Sequence, residues 1–247
     1  MKSLLKMAWM EAKLFLREPA SAFFTLVFPL IYLFMYGAIS GNKPMPEFGG
    51  QRMIDASLPN LIAVIICIAG LMDITMTMAT YREKGVLRRL RTTPVSPLVV
   101  LVAQVIVVFA MTALGMLLLV VAGKLFYHVR FDGNIFSLLL GFVLSSLSFY
   151  GIGFVLAGTM PTVRSAWVVG MVLMYPMMFL SGAFFPVELM PAVVQKVSAF
   201  MPLTYVVNLL HGLWTGEPWS SHLLDVGVLA GILLLGIITS AKTFRWE

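Results

Sequence analysis

The chain is poor in charge, has one cysteine, and carries none of the short motifs that mark an enzyme. Only 11% of its 247 residues are Asp, Glu, Lys or Arg, while 60% are hydrophobic and 18 are methionine. Soluble domains carry about a quarter charged residues, so this composition places the chain in a bilayer. A single cysteine, Cys67, excludes an internal disulfide, and no C-x-x-C spacing offers a metal site. The only Gly-Lys pair, Gly123-Lys124, is followed by Leu125 and has Leu118 where a leading glycine would stand. The chain therefore lacks the Walker A loop that cradles nucleotide phosphates. There is no H-E-x-x-H, no paired-Asp lipid-transferase motif and no Ser/His/Asp constellation. His128, His211 and His222 are scattered, as ordinary interfacial residues would be. The formal net charge of +6 is held in short segments beside apolar runs, which suits anionic lipid headgroups and argues against a nucleic-acid partner.

What the chain does have is apolar length. About 20 apolar residues cross the hydrocarbon core, and six segments qualify: 21–40, 58–80, 98–126, 135–159, 165–184 and 223–241. Residues 1–18 precede them as an amphipathic helix. Lys2, Lys6, Lys13 and Arg17 fall on one helical stripe, with Leu5, Ala8, Trp9, Ala12, Phe15 and Leu16 beside and opposite it. Such a helix lies in the interface with its basic stripe toward headgroups or a partner. No small-residue cleavage site follows, so this N-terminus is expected to persist. Residues 186–219 are apolar but broken by Pro186, Pro191, Pro202 and Pro218. They predict short helices that dip into, or lie on, one face of the membrane. No internal repeat or linker divides the chain, so a single domain over 1–247 is expected.

Orientation follows from the basic residues. With the N-terminus inside, Lys2, Lys6, Lys13, Arg17, Arg82, Lys84, Arg88, Arg89, Arg91, Arg164, Lys242 and Arg245 lie inside. Only Lys43, Arg52, Lys124, Arg130 and Lys196 lie outside. This bias puts both termini in the cytoplasm, and the 42–56 loop and the 186–219 segment on the outer side.

The most basic short stretch, Tyr81-Arg82-Glu83-Lys84-Gly85-Val86-Leu87-Arg88-Arg89-Leu90-Arg91-Thr92-Thr93-Pro94, joins the second and third spans. Leu87 and Leu90 share a helical face ringed by Arg88, Arg89 and Arg91, and Pro94 ends the helix. Such an element could enter a cleft on an acidic partner and pass force to the span above it. The 83–96 pattern resembles the intracellular coupling segment of ABC-2 type permeases, the membrane subunits of bacterial ATP-binding-cassette exporters. Arg17-Glu18-Pro19, Phe28-Pro29, Ser181-Gly182-Ala183-Phe184-Phe185-Pro186 and Met201-Pro202-Leu203-Thr204-Tyr205 extend the resemblance over nearly the whole chain.

The resemblance implies an all-α membrane protein. It would have an N-terminal interfacial helix, six spans, a coupling helix within 82–96 and re-entrant external helices within 186–219. Glu83, Gly85, Leu87, Arg88, Arg89, Leu90, Arg91 and Pro94 would couple to the ATPase, and Gly182, Pro186 and Pro202 would shape the external segment. It further implies a bacterial inner-membrane exporter in which this subunit pairs with a second copy of itself or a related permease. Two ABC ATPase subunits would dock beneath and bind ATP and Mg, this chain binding neither and catalysing nothing. Drugs, lipids, lipid-linked glycans and peptides are the cargo classes. An ion-gradient-driven carrier would want several buried ionisable groups, and a membrane-bound lipid enzyme would want a polar cluster at one interface.

Asp73 is the one carboxylate well inside a span, a costly placement that marks function by default. It is expected either at the pathway or subunit interface, where it could attract a cationic substrate, or as an acceptor for Thr75, Thr77 or a neighbouring span. Gly141, Ser145, Gly151, Gly153, Ala166 and Gly170 are expected where helices pack closely.

Overall fold

The computed structural model describes residues 2–40, 52–86 and 97–243. Residues 87–96 lie outside this set, and with them Leu87, Arg88, Arg89, Leu90, Arg91 and Pro94 of the expected coupling segment. Every element among the described residues is helical. Helix α1 is Lys2–Arg17. After Glu18, the chain enters a continuous helix of three parts: α2, Pro19–Ala22, a π-helical turn at Phe23–Val27, and α3, Phe28–Ser40. Pro19 opens it, since a first helical position needs no N–H. The next passage also has three parts: α4, Met53–Ile68, a π-helical turn at Ala69–Ile74, and α5, Thr75–Glu83. Then come α6, Pro97–Tyr127, α7, Ile135–Thr159, and α8, Val163–Leu180. Two shorter helices follow, α9, Ala192–Ser198, and α10, Pro202–Thr215, before α11, Leu223–Thr243.

Among the described residues, five helices are long and apolar enough to cross a membrane unaided: Met53–Glu83, Val99–Tyr127, Ile135–Thr159, Val163–Leu180 and Trp219–Ser240. The expected first span is the shorter apolar helix Phe23–Ile39. With α2 in front of it, the unbroken helix has a length of about 30 Å. The second span begins earlier than its apolar run suggested, at Met53, with Asp55 of its first turn paired to Arg52 at 2.7 Å and Pro59 accommodated inside the helix. The fifth ends earlier, at Leu180, and Ser181–Phe185 turn away from the helix. Gly182 makes that turn with φ +88°, a region where a Cβ would be strained.

Residues 187–222 form short helices. α9 and α10 meet at 90°, and α10 alone spans only about 21 Å, too little to cross. Pro202, read from sequence as a break, is also the first residue of α10. This helix is not peripheral: Leu203, Val206, Leu209, Leu210 and Leu213 are fully or almost fully buried. It plugs the end of the bundle remote from α1.

The helix Met53–Glu83 is the axis of the bundle, with 83% of its apolar stretch enclosed against 17% for Trp219–Ser240. A helix hydrophobic all round fits that central place. Glycines let its neighbours approach. Gly153 of α7 faces the backbone of Gly70, and Gly236 of α11 faces Gly151; a side chain at either would strike backbone. Gly141 packs on Leu213 and Gly170 on Leu71 and Met72, so the small residues do sit at close crossings.

Candidate functional site

The two π-helical turns face each other. Each inserts an extra residue into a turn, a distortion common at functional sites. The first carries Thr25 and the second carries Asp73, and the Thr25 hydroxyl donates to Asp73 Oδ2 at 3.0 Å. Asp73 is buried, 3% exposed. Its donor therefore comes from the neighbouring span. Thr75 instead donates to the carbonyl oxygen of Gly153 at 3.2 Å, tying α5 to α7.

Beside this pair lies a cleft of about 280 Å³ between the first, second and fifth passages. It is lined by Glu18, Ser21, Phe24, Ile68, Met72, Asp73, Met76, Trp167, Met171, Met174 and Tyr175. Trp167, Met171, Met174 and Tyr175 follow one stripe of α8, at the i, i+4, i+7, i+8 positions of a helical face. Among the described residues no Lys or Arg lines the cleft. Two carboxylates thus stand against sulfur and aromatic faces. Thioethers are polarisable and adapt to varied shapes, and aromatic rings attract cations. Such a lining can accommodate a bulky apolar body carrying positive charge. Asp73 was visible in the sequence. Glu18 was not, because it sits between Arg17 and Pro19 ahead of the apolar run.

At the α1 end, the root of the expected coupling segment is engaged with the rest of the bundle. The Tyr81 hydroxyl donates to Glu11 Oε1. Arg82 donates to the carbonyl oxygens of Ala157 and Gly158, the latter at 3.2 Å. Glu83 Oε2 accepts the Val163 amide at 2.7 Å. Gly85 follows at φ +63°, with nothing among the described residues within 4 Å of where its Cβ would stand, so the chain turns out of α5 there. Lys13 and Arg17 are exposed on α1, as the basic stripe predicts, while Lys2 and Lys6 occupy its first turns. The buried face of α1 is less apolar than its pattern suggests, because it contains Glu11 as well as Phe15. Burial raises the Glu11 carboxyl above its ordinary value near 4.5, and the hydrogen bond from Tyr81 opposes that rise.

At the opposite end, Asn60 donates to the Gly182 carbonyl at 3.2 Å, and Pro186 leads into the short turn Val187–Leu189. His222, expected to be an ordinary interfacial residue, is buried between Asp225 at 3.0 Å and Glu217 at 3.2 Å. It fastens the exit of α10 to the start of α11.

A family model described as ABC-2 type transporter matches residues 2–213. The chain belongs to the ABC-2 type transporter family. Among curated relatives it is similar to "Nodulation protein J" of Rhizobium leguminosarum bv. viciae, 29% identical over 102 residues, 41% of this chain and 39% of that protein. It is 23% identical over 232 residues to "Putative transport permease ycf38" of Porphyra purpurea, covering 92% of this chain and 79% of the relative. It is 24% identical over 152 residues to "Probable multidrug ABC transporter permease YbhR" of Escherichia coli (strain K12), 62% of this chain and 41% of that one. The matches thus span less than half the length of nodulation protein J and of YbhR. Membership of this ABC-2 family and the long apolar helices make the protein a multi-pass membrane protein.

Proposed function

We propose that this ABC-2 chain is the permease subunit of an ATP-driven exporter, and that its cargo is an amphiphilic molecule carrying positive charge. The observation that carries the cargo reading is the cleft between the first, second and fifth passages. There, Asp73 and Glu18 meet methionine and aromatic walls with no basic residue among the described lining. A buried carboxylate held only by hydroxyl donors gains most from a cationic ligand or a proton, so cation and proton compete for it. Family membership supports a separate ATPase: ATP and Mg belong to two partner subunits, and the 82–96 segment is where they engage. A second copy of the chain, or a related permease, closes the open side of the cleft. On this reading the N- and C-termini and the 81–97 segment face the cytoplasm of a bacterial inner membrane, and the α9–α10 pair faces outward. The ion-gradient alternative draws on the buried ionisable groups Asp73, Glu11, His222 and Asp225, but of these four Asp73 alone lines the cleft.

The test is reconstitution of the chain with its partner ABC ATPase in inverted vesicles, with ATP supplied outside. The expected result is ATP-dependent uptake of tetraphenylphosphonium. Uptake should fall at least tenfold in the Arg88→Glu/Arg89→Glu variant, while the ATPase still hydrolyses. Uptake that follows an imposed proton gradient without ATP would refute the reading, as would an undiminished rate in the charge-reversed variant.

A further inference from the structure

Three consecutive residues at the foot of the central helix grip three different elements. Successive residues on a helix point about 100° apart, so Tyr81, Arg82 and Glu83 address three neighbours around one turn. Tyr81 holds α1 through Glu11, Arg82 holds the end of α7 through the Ala157 and Gly158 carbonyls, and Glu83 holds the start of α8 through the Val163 amide. The charges match what they touch. A helix C-terminus leaves carbonyls unpaired and carries partial negative charge, and a helix N-terminus leaves amides unpaired and carries partial positive charge. Arg82 meets the first and Glu83 the second. The adjacent pair therefore reads both ends of the short connection between α7 and α8 in the correct order.

We propose that Tyr81, Arg82 and Glu83 are a transmission node, through which displacement of the coupling segment moves α1, the foot of α7 and the foot of α8 together. This rests on the exporter reading above, because the node passes on motion that the ATPase supplies. Its output is specific. Glu83 seizes the helix whose stripe from Trp167 to Tyr175 forms one wall of the cleft, while Asp73, on the node's own helix, forms another. Movement at Gly85 thus reaches two walls of one cleft by two routes, the rigid helix Thr75–Glu83 and a single carboxylate. These residues position the spans and do not touch cargo.

The deciding experiment exchanges the two charges, Arg82→Glu with Glu83→Arg, in the full complex with its ATPase. Net charge is unchanged, but each charge then faces the wrong helix end. The exchange should lower the tetraphenylphosphonium moved per ATP hydrolysed at least tenfold. Glu83→Gln and Glu83→Leu guard against a failure to fold. Gln keeps an acceptor for the Val163 amide and should retain at least half of the transport ratio, whereas Leu should fall to the level of the exchange. A wild-type complex that pumps and an exchange that pumps equally well overturn the node alone, as does equal behaviour of Gln and Leu. A wild-type complex that hydrolyses ATP without moving cargo overturns the exporter reading, and the node falls with it.

Discussion

The bond between Thr25 and Asp73 separates a structural role for the buried carboxylate from a transport role. Thr25→Val leaves Asp73 Oδ2 without its 3.0 Å donor. Ser21 remains a second donor to the carboxylate, so the loss stays below the roughly 1–3 kcal/mol of a fully orphaned buried acceptor and close to the roughly 0.6 kcal/mol averaged by hydrogen bonds between helices in membranes; about 1 kcal/mol or less is expected. Asp73→Leu acts the other way. It removes a group whose placement mid-membrane costs about 2.5–3.5 kcal/mol on insertion scales, and the freed Thr25 hydroxyl can return to a carbonyl of its own helix. The double variant, apolar at both positions, should therefore be at least as stable as the parent. If the pair only fastened two helices, that variant would also transport. The cleft reading expects it to be stable and to have lost uptake of tetraphenylphosphonium. The molecule supplies its own reporter, because Cys67 is the sole cysteine and is fully buried. A thiol-reactive dye labels it only on unfolding, so a melting curve in detergent reads stability directly. A double variant that keeps full uptake would refute the role given to Asp73. One that melts below Thr25→Val would refute the energetic argument.

Two more consequences can be measured. Gly236→Leu should lower the melting temperature, because a Cβ there stands 2.8 Å from Gly151 Cα and overpacking costs about 1–3 kcal/mol; an unchanged curve would mean that α7 and α11 separate freely. The raised Glu11 carboxyl makes docking of α1 sensitive to pH. Its folded form holds a proton that the unfolded form gives up near 4.5, so stabilisation present below that value is lost as pH climbs through the raised one. Hydrogen exchange over residues 2–17 should accelerate across that interval, and Glu11→Gln, which cannot ionise, should flatten the dependence.

Much of the fold could be read in the sequence because bilayer thickness is a hard constraint. The apolar runs at 98–126 and 135–159 have almost the bounds of α6 and α7. Four prolines within 186–219 announced a segment that could not cross. Asp73 stood out because a carboxylate is rare at that depth. The residues that escaped notice are those whose meaning depends on partners far along the chain. Arg82 counted as one more positive charge in a basic stretch, yet its guanidinium turns back to carbonyls some 75 residues away. Glu11 interrupts an otherwise apolar face, and only the Tyr81 hydroxyl makes sense of it. Glu18 belongs to the cleft although it precedes the helix that brings it there. The π-helical turns could not be located from composition: Asp73 marked a place within Ala69–Ile74 but not its geometry, and Phe23–Val27 is as apolar as the run that follows it.

Those turns have a directional consequence. One surplus residue in a turn offsets the bearing of everything after it by about 100° relative to an unbroken α-helix. The residues from Thr75 onward owe their compass heading to the irregularity at Ala69–Ile74. Straighten it, and Tyr81 would point where Arg82 now does, presenting a phenol to bare carbonyls and a guanidinium to an amide. An imperfection ten residues up the shaft is what aims the fittings at its base.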